Sequence, residues 1–365
     1  MTTNEIGLGL KYSRNGRTIV GYDKNLYGKL LIPDGVEEIA DNAFNGCDSI
    51  TSVSFPKSLI SIGYDAFADC SLEKVMFSNE IKQIDGFRNC CKLSEIFLPD
   101  SVDVIADYAF EGCTSLKKVT FPGELKKIGI GVFKNCIELE DVCLPIWLDK
   151  IDDYAFQGCK SIAEFFVPDD VTIIGNHAFE GCLKLQDLEL PNNLRCIGDR
   201  AFGCCCDLET IIIPQSVITI GNGVIDGCTS LKNLTFMGAV ETIGESNEWL
   251  IDGVYNSEVD DYLYGYNIDT EPFDFQDKVI YEKETSNAWL ERLKRFNINV
   301  RSGDESLYSE LLSYYKNNIR PYQPLKIEGK ITIKSLNERN PQFREIKPSY
   351  FDFSDDDASL NPDLW

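Results

Sequence analysis

Apolar residues recur along the chain in a fixed unit that is much longer than the period of one helix or strand. The unit from Leu116 to Cys136 begins with leucine, valine and phenylalanine and ends with phenylalanine and cysteine. The next unit, which ends at Cys159, repeats this order. Their common pattern is L-x-x-V-x-L-P-x-x-L-x-x-I-x-x-x-A-F-x-x-C. Repetition at this length is typical of a solenoid, in which stacked turns share one core.

Prolines mark the length of the unit. Two of the units are shortened, one after Cys70 and one at residues 84–87, and we expect about nine turns over residues 30–244. The prolines that recur every 23 residues are Pro99, Pro122, Pro145, Pro168, Pro191 and Pro214, with Pro33 and Pro56 at the same interval upstream.

Each unit begins with a predicted strand. Val119 lies between Lys118 and Thr120, so strand alternation turns the valine inward and its neighbours outward. Pro122 has no N–H to donate and marks the end of the strand. The strands are expected to form one parallel sheet on the concave face of a leucine-rich-repeat horseshoe or right-handed coil. At about 4.8 Å between strands, nine turns span roughly 40 Å.

The two ends differ from the repeats. Asn15-Gly16 is a strong hairpin signal, so residues 1–29 are predicted to be an N-terminal β-hairpin cap. Residues 245–278 form an acidic, aromatic insertion, and residues 279–303 are predicted to be a terminal strand–helix–strand turn. Residues 304–365 complete a mixed α/β C-terminal extension with an acidic tail.

The charge of the chain restricts its partners. It carries 59 acidic and 35 basic residues, a net charge of -24. Such a chain is repelled by nucleic-acid phosphates and anionic membranes, so we expect a protein partner with a basic surface and no nucleic acid. No apolar run approaches the roughly 18 residues that span a bilayer, and no standard signal peptide is visible. The sequence as written predicts a cytoplasmic protein, and a leader upstream would make it a secreted or surface protein.

Most of the fourteen cysteines share one repeat position. We expect them to be small buried hydrophobic residues in a ladder. Disulfides between adjacent rungs remain an alternative on distance alone, whereas the sulfur spacing is too wide for a zinc site. A reducing compartment and no bound metal are the simpler expectations. The ladder consists of Cys47, Cys70, Cys90, Cys113, Cys136, Cys159, Cys182, Cys205 and Cys228.

Nothing in the sequence indicates catalysis. The only histidine, His177, occupies a repeat position held elsewhere by Tyr108 and Tyr154, which predicts a replaceable surface residue. No phosphate-binding loop, dinucleotide fingerprint, zinc-protease helix or nucleophile elbow occurs. We expect no catalytic residues, no cofactor and no enzyme activity.

The outward strand positions are the candidate binding surface, because they do not build the core. Several are apolar where solvent is expected, and exposed apolar groups beside charges mark interaction surfaces. Two alternatives are that the C-terminal segment of the chain covers them or that they are incidental. The predicted partner-binding residues are Met76, Glu95, Phe97, Asp141, Glu164, Phe166, Asp187, Glu189 and Ile212, with Trp249, Tyr262 and Tyr264 in the insertion.

The repeat resembles the BspA-like class of leucine-rich repeats, whose signature is I-x-x-x-A-F-x-x-C. The resemblance rests on the Ala-Phe pairs of residues 30–244, for example Ala109-Phe110 and Ala155-Phe156. It implies a non-catalytic protein-binding solenoid, and relatives of this type tend to be surface or secreted adhesion proteins. Two other functions stay open: an acidic mimic of nucleic acid that inhibits a basic protein, and a surface adhesin. The oligomeric state is not predicted.

Overall fold

The computed structural model describes residues 9–243, 297–301 and 319–322. By its internal contacts the chain divides into residues 1–323 and residues 324–365, and the second unit lies wholly outside the described residues. Residues 9–243 contain strands and turns arranged as a coil of about ten turns, close to the nine expected.

Each turn contributes one longer strand to a parallel array, which we call the long-strand sheet. Its backbone pairing is interrupted at three places, so the hydrogen-bonded groups contain three, three, two and four strands. Its inward residues are buried or, at Val142 and Leu188, partly buried, and most outward residues face solvent, as the alternation predicts. Ten of its strands are Gly28–Leu31 (β3), Ile50–Ser54 (β5), Lys74–Met76 (β7), Glu95–Phe97 (β9), Lys118–Thr120 (β11), Asp141–Cys143 (β13), Glu164–Phe166 (β15), Asp187–Glu189 (β17), Thr210–Ile213 (β19) and Asn233–Phe236 (β21).

A second parallel sheet, the short-strand sheet, was not predicted. Most turns pair two residues with the equivalent two of the next turn, in two hydrogen-bonded groups that are interrupted between residues 105 and 127. An isoleucine ends each pair, and those from Ile39 to Ile220 are buried. Such strands are too short for an alternating pattern to show. They are Glu38–Ile39 (β4), Ser61–Ile62 (β6), Gln83–Ile84 (β8), Val104–Ile105 (β10), Lys127–Ile128 (β12), Lys150–Ile151 (β14), Ile173–Ile174 (β16), Cys196–Ile197 (β18), Thr219–Ile220 (β20) and Thr242–Ile243 (β22).

The core is built from columns of identical side chains. The phenylalanine of each Ala-Phe pair is fully buried and stacks on its equivalents in the turns before and after it. From Phe44 to Phe202, successive ring centroids lie 4.8 to 5.8 Å apart and the rings are nearly parallel. One turn cannot bury its own ring, so the stack joins neighbouring turns into one continuous core.

The irregular segment that follows the short strand in each turn, for example residues 152–155, forms a surface that we call the turn wall. A column of Asp and Asn side chains joins the turns along it. The Oδ1 atom of Asp153 accepts the backbone N–H of Asn176 at 2.7 Å, and the Asn176 side chain accepts from Asp199 in the same way. Asp199 in turn accepts from Asn222. This ladder satisfies backbone donors that the irregular turn leaves without a strand partner.

The cysteine ladder is buried as predicted, and its members are free thiols. From Cys70 onward each Sγ atom donates to the carbonyl of a core phenylalanine in an earlier turn, at 3.1 to 3.3 Å. Cys159, for example, donates to Phe133 at 3.1 Å. A thiol at this position fills a small apolar space and adds a second hydrogen bond to a carbonyl that already accepts a backbone N–H, as that of Phe133 does from Cys136 at 3.1 Å.

The predicted N-terminal hairpin is present. Leu10–Tyr12 (β1) pairs antiparallel with Thr18–Tyr22 (β2), and β2 then pairs in parallel with β4 of the short-strand sheet. Tyr22 stacks on Phe44 with centroids 5.6 Å apart, and Ile19 is fully buried. The hairpin therefore covers the first ring of the core and extends the short-strand sheet.

The long-strand sheet continues beyond residue 243. Asn297–Arg301 (β23), a predicted strand, pairs in parallel with β21, and Ile319–Tyr322 (β24) pairs in parallel with β23. Strand β24 was not predicted, because I-R-P-Y lacks apolar alternation. The other expectations for the C-terminal part lie outside the described residues: the insertion 245–278, the strand and helix predicted before residue 297, and most of 304–365.

Candidate functional site

The outward side chains of strands β5 to β19, which we call the strand face, include a row of apolar residues. Met76, Phe97 and Ile212 are exposed to 44%, 55% and 49%. Phe166 lies in the same row and is half-buried, as is Cys143. Large apolar side chains this exposed carry unfavourable hydration that a bound partner would remove.

Charged residues form the adjacent row of the strand face. Lys118 lies between Glu95 and Asp141 in strand register, and its Nζ atom makes an ion pair with Asp141. The hydrogen bond to Asp141 raises the pKa of Lys118 above its ordinary value. The cation and these two acidic groups thus neutralise one another in part at the centre of the face.

Like charges meet further along the strand face. Glu164 and Asp187 are directly opposite in register on β15 and β17, and beside them Phe166 is opposite Glu189. Carboxylates that face each other across two strands repel. Within the described residues neither Glu164 nor Asp187 has an ion-pair partner. A cation brought by a bound molecule would relieve this repulsion.

His177 is not the replaceable surface residue that was expected. Its ring stacks on Tyr154 with centroids 4.9 Å apart, and its Nδ1 atom hydrogen bonds Glu180 at 2.8 Å. Glu180 also accepts from Gln157 and from Arg200, both at 2.8 Å. The side chain of His177 is only 13% exposed, since the ring of Tyr154 and the carboxylate of Glu180 pack against it.

The same network alters the acidity of Glu180. Burial alone would raise the pKa of this carboxyl, but the hydrogen bond with His177 and the charge of Arg200 lower it to about 2. Arg200 is shared with a second carboxylate, that of Asp226, at 2.5 Å. The histidine and its partners are therefore occupied in joining consecutive turns.

The ladder thiols are poor nucleophiles. Burial raises the pKa of Cys113, Cys136 and Cys159 well above the ordinary value for a thiol, and the thiolate is the reactive form. Across the described ranges, no three His, Cys, Asp or Glu side chains are placed to hold a metal ion. In those ranges, too, no helix is long and apolar enough to cross a membrane.

All nine predicted site residues that the structure describes lie on the strand face, and Trp249, Tyr262 and Tyr264 lie outside the described residues. Aromatic side chains exposed elsewhere were not predicted as site residues; they include Tyr27, Tyr64 and Trp147. Trp147, 48% exposed, lies in the loop between β13 and β14 beside an open cavity of about 450 Å³. The sequence could have revealed Trp147 as a candidate, because the equivalent positions in other repeats hold small or polar residues such as Ser101 and Asp170.

Comparison with known families agrees with the repeat pattern. The family described as BspA type Leucine rich repeat region matches six copies, over residues 22–140, 84–172 and 149–247. No curated protein matches the chain.

Solved structures of bacterial repeat proteins resemble it at low identity. A leucine-rich repeat protein from Bacteroides ovatus is 22% identical, with a TM-score of 0.38, over 74% of this chain and 99% of that one. The pneumococcal vaccine antigen PcpA is 18% identical, with a TM-score of 0.45, over 86% of this chain and 82% of that one. A leucine rich cell surface protein from Faecalibacterium prausnitzii is 23% identical, with a TM-score of 0.30, over 65% of this chain and 89% of that one.

Proposed function

Because the chain belongs to the BspA-type leucine-rich-repeat family, we propose that it is a non-catalytic module whose strand face binds a basic protein. Repeats of this family typically mediate protein interactions or surface adhesion and are generally not catalytic. Many family members are surface or secreted proteins. For this chain the fourteen free thiols favour a reducing compartment.

The observation that carries the proposal is the pairing of two rows on the strand face. One row exposes Met76, Phe97 and Ile212, and the adjacent row places Glu164 opposite Asp187. Apolar anchors bordered by charge are the usual composition of a protein interface. The acidic row selects a partner with lysine or arginine at matching positions, and the net charge of -24 speeds its approach.

The test is a comparison of binding by three forms of the full chain. The double variant Phe97→Glu/Phe166→Glu places charge in the apolar row, and Tyr64→Glu changes a residue of similar exposure, 53%, on the turn wall. Each is immobilised and exposed to extract of the source cells at low and moderate salt. We expect wild type and Tyr64→Glu to retain the same basic protein, and the double variant to lose it.

The controls separate binding from folding. Circular dichroism must show that the double variant folds, since loss of the fold would place these residues in the core. Retention of the same partner by the folded double variant would contradict the proposal. Displacement of the partner by duplex DNA would instead favour a mimic of nucleic acid, for which steep salt dependence is the other sign.

A further inference from the structure

A second surface lies away from the strand face, in an open depression that crosses consecutive turns of the short-strand sheet. One side consists of Trp147, Asp170 and Asn193, which occupy the same repeat position in successive turns. The other side includes Lys126 and Arg195 at a second repeat position. The depression is open to solvent along one side and has a volume of about 450 Å³.

Trp147 occupies a repeat position whose residue varies from turn to turn. Where the residue is serine, its side chain bridges to the preceding turn: Ser58 donates to the Val36 carbonyl, and Ser216 to the Leu194 carbonyl, both at 2.7 Å. In the turns on either side of Trp147 the residue is Glu124 or Asp170. The indole of Trp147 stands 48% exposed instead. Lys126 lies over the ring, with its Nζ atom 5.5 Å from the centroid, a cation–π contact that restrains the indole. A large aromatic ring therefore stands at this variable position without being buried.

The charges around the depression balance. Lys126 and Arg195 supply two cations, and Asp149 and Asp170 supply two anions, in a chain whose net charge is -24. In the part of the chain that the structure describes, these four side chains form no ion pair with one another. They offer separated donors and acceptors, to which Asn193 adds an amide. The side chains that line the depression therefore carry no net charge of their own.

We propose that this depression is a binding site for a neutral oligosaccharide. Sugar hydroxyls both donate and accept, so they match carboxylates, cationic groups and an amide set around one cavity. The C–H face of a sugar ring suits the indole, because the aromatic face is negative and the sugar C–H hydrogens are slightly positive. The positions that line the depression recur from turn to turn at about the strand spacing of 4.8 Å, so more than one sugar unit can lie across the turns. The site is separate from the strand face and does not depend on the function proposed there.

A peptide fits the depression less well. The backbone N–H groups of its floor are already used between turns, since Asp149 donates to Lys126, Thr172 to Asp149 and Arg195 to Thr172, at 2.8 to 2.9 Å. No free strand edge is left here for an added peptide strand. Among the side chains that line it, Trp147 is the one large apolar group, whereas peptide grooves need several anchors.

The experiment is an oligosaccharide array probed with the full chain. The array carries neutral oligomers of glucose, mannose, galactose and N-acetylglucosamine, with sulfated and uronic-acid oligomers beside them. The neutral oligomer with the strongest signal is then titrated calorimetrically. We expect Trp147→Ala to weaken its binding by about tenfold or more, and Trp147→Phe, which keeps an aromatic face, to weaken it less.

Two controls make the result specific. Ile60→Ala truncates a side chain of similar exposure, 54%, at the repeat position that Lys126 occupies in its own turn, and should bind as wild type does. The double variant Phe97→Glu/Phe166→Glu should also bind the oligosaccharide as wild type does. Loss of protein binding and loss of oligosaccharide binding can therefore be observed independently. Three results would overturn the inference: no neutral oligomer bound, binding unchanged in Trp147→Ala that circular dichroism shows to be folded, or binding confined to the charged oligomers.

Discussion

Replacing Phe156 with alanine tests whether the ring stack is the core of the coil. Phe156 is fully buried, with Phe133 stacked on one side at 5.6 Å and Phe179 on the other at 5.5 Å. Phe165 meets the same ring edge-on at 5.1 Å. The substitution therefore empties a position enclosed by three other aromatic rings.

The expected loss of unfolding free energy is at the upper end for such a change. Phe→Ala in a core costs about 3–5 kcal/mol through lost burial and the cavity left behind. Collapse of the cavity would require neighbouring turns to move together, but backbone hydrogen bonds hold their spacing. Strand β14 pairs with β12 and β16, and the Phe156 N–H donates to the Ala178 carbonyl at 2.8 Å. Each lost aromatic pair also contributes on the order of 1 kcal/mol beyond its buried area. We expect a loss of about 4–5 kcal/mol.

The assay is urea unfolding of the purified chain followed by far-UV circular dichroism. The matched control is Phe97→Ala, the same substitution at a residue that is 55% exposed. An exposed strand residue contributes less than about 1 kcal/mol, so the control midpoint should stay near wild type. Equal losses for the two variants would refute the assignment of Phe156 to the core and Phe97 to the surface.

Two further predictions concern the ladder thiols and the turn wall. Under native conditions maleimide should label the exposed Cys91. Cys113, Cys136 and Cys159 should stay unlabelled until urea unfolds the chain, because these thiols are buried and burial raises their pKa. Peptide mass spectrometry that finds all four cysteines labelled equally in the native protein would contradict the buried ladder. The pKa of Glu180 falls from an ordinary 4.5 to about 2 on folding, so its stabilising effect is complete above pH 4.5 and is lost as the pH falls towards 2. The melting temperature of wild type should therefore exceed that of Glu180→Gln at neutral pH and approach it in acid, and a gap independent of pH would show that this carboxylate is not the cause.

The repeated part of the fold was predictable because its signal is redundant. Proline, Ala-Phe and cysteine each mark the same unit, so the long-strand sheet and the buried ladder followed from spacing alone. The short-strand sheet was missed because Lys127–Ile128 and its equivalents supply only one inward residue per turn. The Asp and Asn column shows in the sequence as an Asp or Asn three residues before five of the stacked phenylalanines, among them Phe156, Phe179 and Phe202.

The candidate site was predictable only in part. Strand alternation placed Phe97 and Ile212 on the outer face, but the half-buried state of Phe166 depends on neighbouring side chains that no pattern specifies. Whether His177 was exposed depended on Tyr154 in the preceding turn, with which it stacks. Trp147 was passed over because its position is in a loop, outside the strand positions that were compared.

The most direct test of the central claim is site-specific photo-cross-linking. A photoreactive residue at Thr120 lies between Phe97 and Cys143 in register on the strand face, and the same residue at Tyr64 lies on the turn wall. Each form is incubated with the captured basic partner and irradiated. The account predicts a cross-linked complex from position 120 and none from position 64. Cross-linking from position 64 alone would show that the partner binds elsewhere and contradict the assignment of the strand face as the binding surface.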